Sequence, residues 1–280
     1  MLAAIVINLD PILLQLGPIA IRWYGLMYVV GIVVGIQVGL PYVRSRGITE
    51  DQVWNVIGPC IIAGLIGGRL YYVVQQPLGP YLAQPWRIIA TWEGGMAFYG
   101  AIIGVVVALV LMSWREKISF WTIFDGAVIL AAVGQFFGRI GNVINGDILG
   151  APTTLPWGFI YVHPNSFAAS HTIAYQPAAI YEMIGNLIIV GILFFLRYRV
   201  KRSGILAAVY VICYAVSQFI LFYFRDTEPT VGLGLKQAQL TSIVALVVGL
   251  VILAYRLRST PTDSTPATVP PPSTAVADSA

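Results

Sequence analysis

Residues 119–147 read SFWTIFDGAVILAAVGQFFGRIGNVINGD, and this stretch decides the fold. Its apolar run, 119–144, exceeds the roughly 20 residues that a helix needs to cross the hydrocarbon core of a bilayer. Yet its last turns hold Arg139, Asn142 and Asn145, set among Gly138, Gly141 and Gly146 and followed by Asp147. Helical spacing puts Arg139 one turn before Asn142 and places Asn145 one turn further on, so the three form a polar stripe. An Arg at the centre of a spanning helix costs about 2.5–3.5 kcal/mol on insertion scales, and such a residue usually faces a cavity or a partner. A snorkelling Arg with helix-capping amides is the plainer alternative. It leaves the accompanying glycines without a reason.

Outward from this segment the rest of the chain has the same character. Of 280 residues 58% are hydrophobic and 10% charged, against roughly 25% charged in soluble domains, so lipid must serve as solvent. Six further apolar stretches lie at about 22–40, 53–74, 94–113, 177–196, 204–224 and 238–255. The expected fold is all-α, a polytopic integral membrane protein of about seven transmembrane helices. Small residues four apart, as at Gly31/Gly35, Gly64/Gly68 and Gly100/Gly104, suit close helix packing in lipid. The net charge of +4 comes from short clusters between apolar runs, without the basic stripe interleaved with aromatics that nucleic acid needs.

Those clusters set the orientation. Arg44 and Arg46, Arg115 and Lys117, the group Arg197, Arg199, Lys201 and Arg202, and finally Arg256 and Arg258 fall on alternate connections, while Arg22, Arg87, Arg225 and Lys236 fall on the others. The positive-inside rule then predicts an N-terminus outside and a cytoplasmic C-terminus. The start Met-Leu-Ala-Ala has no Lys or Arg before Arg22, unlike a secretory signal peptide. Residues 1–258 are expected to form one transmembrane domain, and the Thr-, Pro- and Ser-rich residues 259–280 a disordered cytoplasmic tail. Cys60 and Cys213 lie in apolar segments and read as packing residues.

With this orientation the other unusual polar residues collect at one leaflet. Tyr24, Arg69, Tyr99, Glu182, Gln218 and Arg225 all fall in the outer part or at the outer end of their helices. Asp125 alone lies toward the cytoplasm, where interfacial placement is expected. A pocket opening outward and holding arginines at headgroup depth suits an anionic phosphate, because Arg offers planar, bidentate charge-assisted bonds. His163 and His171, in the wide loop 148–176, have no second ligand at metal spacing and read as surface or loop-packing residues.

The string from Gly138 to Asp147 closely resembles the signature of prolipoprotein diacylglyceryl transferases, with Asp147 where that family commonly has Glu. Supporting matches are Arg22-Trp23-Tyr24-Gly25-Leu26-Met27-Tyr28, Gly67-Gly68-Arg69, Gly94-Gly95-Met96-Ala97-Phe98, the stretch from Pro177 to Glu182, and Phe224-Arg225. The resemblance spans about residues 10–255, and the order and spacing of its parts make it specific. It implies a bacterial plasma (inner) membrane enzyme that moves a diacylglyceryl group from phosphatidylglycerol to the lipobox cysteine thiol of preprolipoproteins, leaving a thioether and requiring no cofactor. It further implies that Arg139 and Asn142 hold the lipid phosphate and glycerol; Arg139, and Tyr99 at the position where the family has His, are the candidate catalytic residues. Substrate would be held by Tyr24, Arg69, Asn142, Asn145, Gly146, Asp147, Glu182, Tyr214, Gln218 and Arg225.

The chain departs from the family pattern at four positions. Tyr99 and Gln176 stand where the family usually has His, Gln218 where it has Arg, and Phe222 where it has Glu. A neutral imidazole accepts a thiol proton near pH 7, whereas an unperturbed phenol, with a pKa of about 10, does not. The thiol base is therefore open. The alternatives are an active, divergent transferase and a noncatalytic phospholipid-binding paralogue; a solute transporter is weaker, because the polar residues mark no through-path.

Overall fold

A computed structural model of the chain describes residues 4–17, 19–91, 94–225, 230–232 and 234–259. The expected tail lies almost wholly outside these residues. Local signals fix the helix boundaries. Helix α1 (Trp23–Ser45) is followed by α2 (Glu50–Gln75), whose start is a capping box: Thr49 Oγ1 accepts from the Gln52 N–H while Gln52 Oε1 accepts from the Thr49 N–H. The short α3 (Gly79–Ala83) runs into a 3-10 turn at Pro85–Ile88, and α4 (Phe98–Arg115) and α5 (Phe120–Asn145) follow. Gly146 stops α5 in the left-handed region, φ 73°, with its N–H on the Asn142 carbonyl. Helices α6 (Ala178–Leu196), α7 (Ile205–Leu221) and α8 (Gln237–Arg258) complete the order.

Among the described residues six helices, α1, α2, α4, α5, α6 and α8, are long and apolar enough to cross a membrane, while α7 is a shorter apolar helix of 17 residues. The protein is a mostly helical, multi-pass membrane protein. Helix α1 packs along α5, α2 along α4 and α7 along α8, with α6 lying against both α5 and α7. The α2–α4 crossing is backbone to backbone. A Cβ at Gly67 would strike the Gly100 carbonyl, and one at Gly104 would strike the Ala63 carbonyl.

Two findings differ from the sequence reading. The first is Asp125, expected at the interface and in fact fully buried. Its carboxylate accepts from the Tyr42 hydroxyl of α1 (3.0 Å) and from the backbone N–H groups of Gly204 (2.7 Å) and Ala207 (2.8 Å) at the start of α7. Asp125 therefore caps a helix remote in sequence, satisfying donors that α7 leaves open because its own N-terminal flank is Gly204. Around it, Thr122 Oγ1 donates to Ser203 Oγ, and Arg256 Nε donates to the Ser203 carbonyl.

The second is a small β component outside the helices. Strand β1 (Ile5–Ile7) pairs in parallel with β4 (Phe159–Tyr161), β2 (Ile12–Leu16) pairs antiparallel with β3 (Ile19–Arg22), and β5 (Thr230–Gly232) pairs with β6 (Leu235–Lys236). Strands of two to five residues are too short for alternation to register against so apolar a background. Asp10, beside β2, accepts from the Ile12 N–H and the Asn165 amide, which hold its carboxyl below the usual carboxylate range.

The two ends of the bundle carry different connections. Arg46 donates to the carbonyls of Val200 and Lys201, and Arg202 to that of Leu257, so the α1–α2 turn, the α6–α7 loop and the end of α8 meet at one face. The start of α1, the end of α5 and the start of α6 meet at the other.

Candidate active site

The polar stripe at the end of α5 is a connected chain of bonds. Arg139 Nη1 donates to Asn142 Oδ1 (2.9 Å), Asn142 Nδ2 donates to Asp147 Oδ1 (2.9 Å), and Asn145 Nδ2 donates to Asp147 Oδ2 (3.2 Å). The left-handed turn at Gly146 makes this possible, because it folds Asp147 back onto the last turn of the helix. Asn142 and Asn145 are buried.

Glu182, in the second turn of α6, ties this stripe to the end of α7. It forms ion pairs with Arg139 Nη2 at 2.5 Å and with Arg225 Nη1 at 3.7 Å, and its side chain is 1% exposed while those of the arginines are 20% and 18% exposed. These contacts lie outside hydrogen-bond geometry. Arg139 Nε, Arg225 Nε and both Glu182 oxygens have no hydrogen-bond partner among the described residues. Buried charged groups normally have such partners, so the two Nε groups call for acceptors and the two Glu182 oxygens for donors, a pairing suited to a polar anionic ligand that also carries hydroxyls.

Aromatic side chains wall the cluster. Tyr24, at the start of α1, packs against Gly141, and its hydroxyl donates to Tyr28 (3.1 Å). Its electrostatic surroundings include Asp147 and Arg139. Tyr214 of α7 stacks on Tyr210 at 5.8 Å and lies within electrostatic reach of Arg139, Glu182, Tyr99 and Tyr28. Tyr99 is half-exposed at the start of α4, and Gln218 is buried on α7 one turn beyond Tyr214. The structure thus gathers residues of α1, α4, α5, α6 and α7 at one face.

Arg69 stands apart from this group. It is buried in α2, and its Nε donates to the Ile88 carbonyl (2.9 Å), Nη1 to Gly94 (2.5 Å) and Gly95 (2.9 Å), and Nη2 to Arg87 (2.6 Å). All three nitrogens are directed at the backbone between α2 and α4. A buried Arg is legible in a sequence; whether it serves a ligand or the backbone is not.

Three residues beside the site were not singled out as site residues. Arg22 donates to Asn145 Oδ1 (3.3 Å) and to the Asn165 carbonyl (3.4 Å), with its guanidinium 4.2 Å from the Phe167 ring centroid. Phe167 donates its N–H to the Asn145 carbonyl, and Tyr161 donates its hydroxyl to the Val143 carbonyl at 2.8 Å. Burial, with a contribution from Asp147, pushes the Tyr161 phenol above its ordinary value. Arg22 carried a weak signal in its place next to Trp23-Tyr24, but in the loop only its approach to α5 marks Tyr161 and Phe167. His171 Nδ1 donates to the Tyr161 carbonyl (2.8 Å), and His163 Nε2 faces Asp10 at 3.8 Å, so both histidines hold the loop.

Comparison with known proteins shows the family of the chain. Residues 11–255 match the family model described as prolipoprotein diacylglyceryl transferase. The chain is similar to the phosphatidylglycerol–prolipoprotein diacylglyceryl transferase of Paraburkholderia xenovorans (strain LB400), 32% identical over 90% of this chain and 94% of the relative. It is likewise similar to those of Solidesulfovibrio magneticus (33% identical, 88% and 94% covered) and Bordetella avium (32% identical, 89% and 95% covered). The match extends over nearly the whole described bundle, including every element that contributes to the site, and the chain belongs to the prolipoprotein diacylglyceryl transferase family.

Proposed function

We propose that the protein transfers the diacylglyceryl group of phosphatidylglycerol to the lipobox cysteine thiol of preprolipoproteins, at the outer face of the bacterial plasma membrane. In this reaction a C–S bond forms at the glyceryl carbon as its C–O bond to phosphate breaks. Glycerol phosphate leaves with the electron pair of that bond, and the thiol releases its proton. The observation that carries the reading is the Arg139–Glu182–Arg225 cluster with its unfilled donors, joined through Asn142 to Asp147.

Each residue follows from that cluster. Arg139 and Arg225 hold the phosphate and stabilise the charge that grows on it as it leaves. Glu182 balances the two guanidinium groups until the phosphate arrives and fixes their separation. Asn142, Asn145 and Asp147, on the turn made by Gly146, set the rotamer of Arg139 and offer amides to the glycerol hydroxyls. Tyr24 and Tyr214 flank the cluster, Gln218 lies one turn beyond Tyr214, and Tyr99 supplies a hydroxyl within electrostatic reach of Tyr214. Arg69 acts through the backbone it holds.

The same reading assigns α7 as a seventh span. At 1.5 Å per residue it is about 26 Å long, and the turn that follows it brings it close to the roughly 30 Å hydrocarbon core. Arg44, Arg46, Arg115, Lys117 and the 197–202 basic group put the face opposite the site in the cytoplasm, with the N-terminus outside. A C-terminal reporter active only in the cytoplasm should work, and an exported reporter at the same point should not.

The test of function incubates purified protein with phosphatidylglycerol and a lipobox peptide and follows the peptide by mass spectrometry. A diacylglyceryl adduct on cysteine is expected. Its repeated absence under conditions that support a relative's transferase would overturn the proposal.

A further inference from the structure

Between α2 and α4 the chain does not cross the bundle; it leaves and returns at the site face through α3 and the 3-10 turn. Leu78, Leu82, Trp86 and Ile89 of this segment are 52%, 77%, 50% and 70% exposed, a degree of apolar exposure that water does not favour. Leu78 and Leu82 lie one turn apart at α3, and Trp86 and Ile89 one turn apart at the 3-10 turn, with the non-helical Gln84 between the two pairs. The segment is nevertheless held firmly, since Arg69 bonds the carbonyls of Arg87, Ile88, Gly94 and Gly95, and the Ala97 N–H donates to the Gly68 carbonyl.

We infer that residues 78–89 form a membrane-interface anchor whose apolar side chains enter the headgroup–acyl boundary of the leaflet on the site side. Three observations name lipid as the occupant. These apolar side chains follow in sequence on an equally exposed apolar set in α2, Ile62, Leu65, Ile66, Leu70 and Val74. The segment carries a Trp and an Arg side by side, Arg87 lying 5.8 Å from the Trp86 ring centroid, and this pairing suits the bilayer interface, where an aromatic ring sits at headgroup depth beside a cation. In the same segment, Gln76, Pro77, Pro80, Tyr81 and Arg87 line a cleft of about 230 Å³ with room for polar headgroup atoms. Arg69, from within a spanning helix, fixes the depth of the segment. The inference requires α2 and α4 to cross the bilayer and is independent of the transferase reading.

The test uses the full-length protein in nanodiscs of phosphatidylethanolamine and phosphatidylglycerol. In a Cys60→Ala, Cys213→Ala background, a nitroxide is attached after Leu82→Cys, Ile89→Cys or, as a control on an exposed polar position, Gln84→Cys. Collision with oxygen, which concentrates in lipid, is compared with collision with a water-soluble nickel chelate. At 82 and 89 the oxygen-to-nickel ratio should exceed that at 84 several-fold. Uniformly low ratios at all three positions would place the segment in water and overturn the anchor. Protection from both reagents at 82 and 89 would mean that protein covers the segment, a second copy or a partner, and would overturn it equally. All three positions are exposed, so the labels enter without repacking a core, and monodisperse elution verifies each labelled protein.

Discussion

Helix α5 carries a polar cluster at each end, and the two are built on opposite terms. Near its start, Asp125 is fully buried, and its oxygens take a hydroxyl and two backbone N–H groups at 2.7–3.0 Å. Near its end, Arg139 meets an equally buried Glu182 at 2.5 Å, yet its Nε and that of Arg225 have no hydrogen-bond partner among the described residues. Both clusters join α5 to a neighbouring helix. The first is closed by the chain itself, as a structural joint must be in a medium that offers no water. The second keeps charge and donors in reserve, which costs stability and suits a site that receives an anion. A buried polar group in a membrane protein is thus informative only together with its partners.

The sharpest way to break this contrast is to disable each cluster in turn. Asp125→Ala leaves the Tyr42 hydroxyl and the Gly204 and Ala207 N–H groups buried without an acceptor, at roughly 1–3 kcal/mol each. A loss of about 4 kcal/mol is expected, seen as a large fall in the melting temperature of the detergent-solubilised protein, while transfer per folded molecule is retained. Arg139→Lys should do the reverse. The ammonium keeps the ion pair with Glu182 but cannot also reproduce the planar contact to Asn142, so transfer falls by about a hundredfold, or roughly 3 kcal/mol in the barrier, at nearly unchanged melting temperature. If both variants lost stability and activity together, the two ends would not be different in kind.

Glu182→Gln sharpens the contrast further, because Glu182 belongs to both folding and binding. Two guanidinium groups would remain without their shared counter-charge, and since both are partly exposed, water relieves some of the cost. A destabilisation of about 2 kcal/mol is expected, below the 3–5 kcal/mol of a fully buried broken pair. Binding should move the other way. With the competing carboxylate gone, a phosphatidylglycerol analogue should bind about tenfold tighter, or about 1.4 kcal/mol, by equilibrium titration. Weaker binding would mean that Glu182 orients the arginines more than it competes for them.

The same contrast explains what the sequence could and could not convey. Long apolar runs and the Arg139–Asn142–Asn145 spacing are local properties, so the helices and the stripe were legible. Arg69 and Asp125 were legible as anomalies, but their partners lie about 20 and 80 residues away and are mostly backbone atoms, which no residue pattern encodes. The Glu182 pairings needed α6 and α7 to be set beside α5, a tertiary fact. The loop strands were hidden for a different reason, since two to five residues cannot display a period.

The smallest expected effect concerns Tyr161, which lies between the loop and the site. Its hydroxyl donates to the Val143 carbonyl, one of the last-turn carbonyls of α5 that have no partner within the helix, and its ring covers Gly146. Tyr161→Phe keeps the ring and removes the bond. The fully buried side chain then leaves one carbonyl without that donor, for a loss of about 1 kcal/mol. The Asn142–Asp147 and Asn145–Asp147 bonds do not involve the phenol, so transfer should change by less than about threefold, within that same energy. Melting temperature and transfer rate measured on the same preparation distinguish the outcomes. A small drop in the first with little change in the second makes the loop a cover for α5. A loss of transfer as large as that of Arg139→Lys would instead place the Tyr161 hydroxyl within the reacting site, and the boundary between scaffold and ligand cluster would move outward to include the loop.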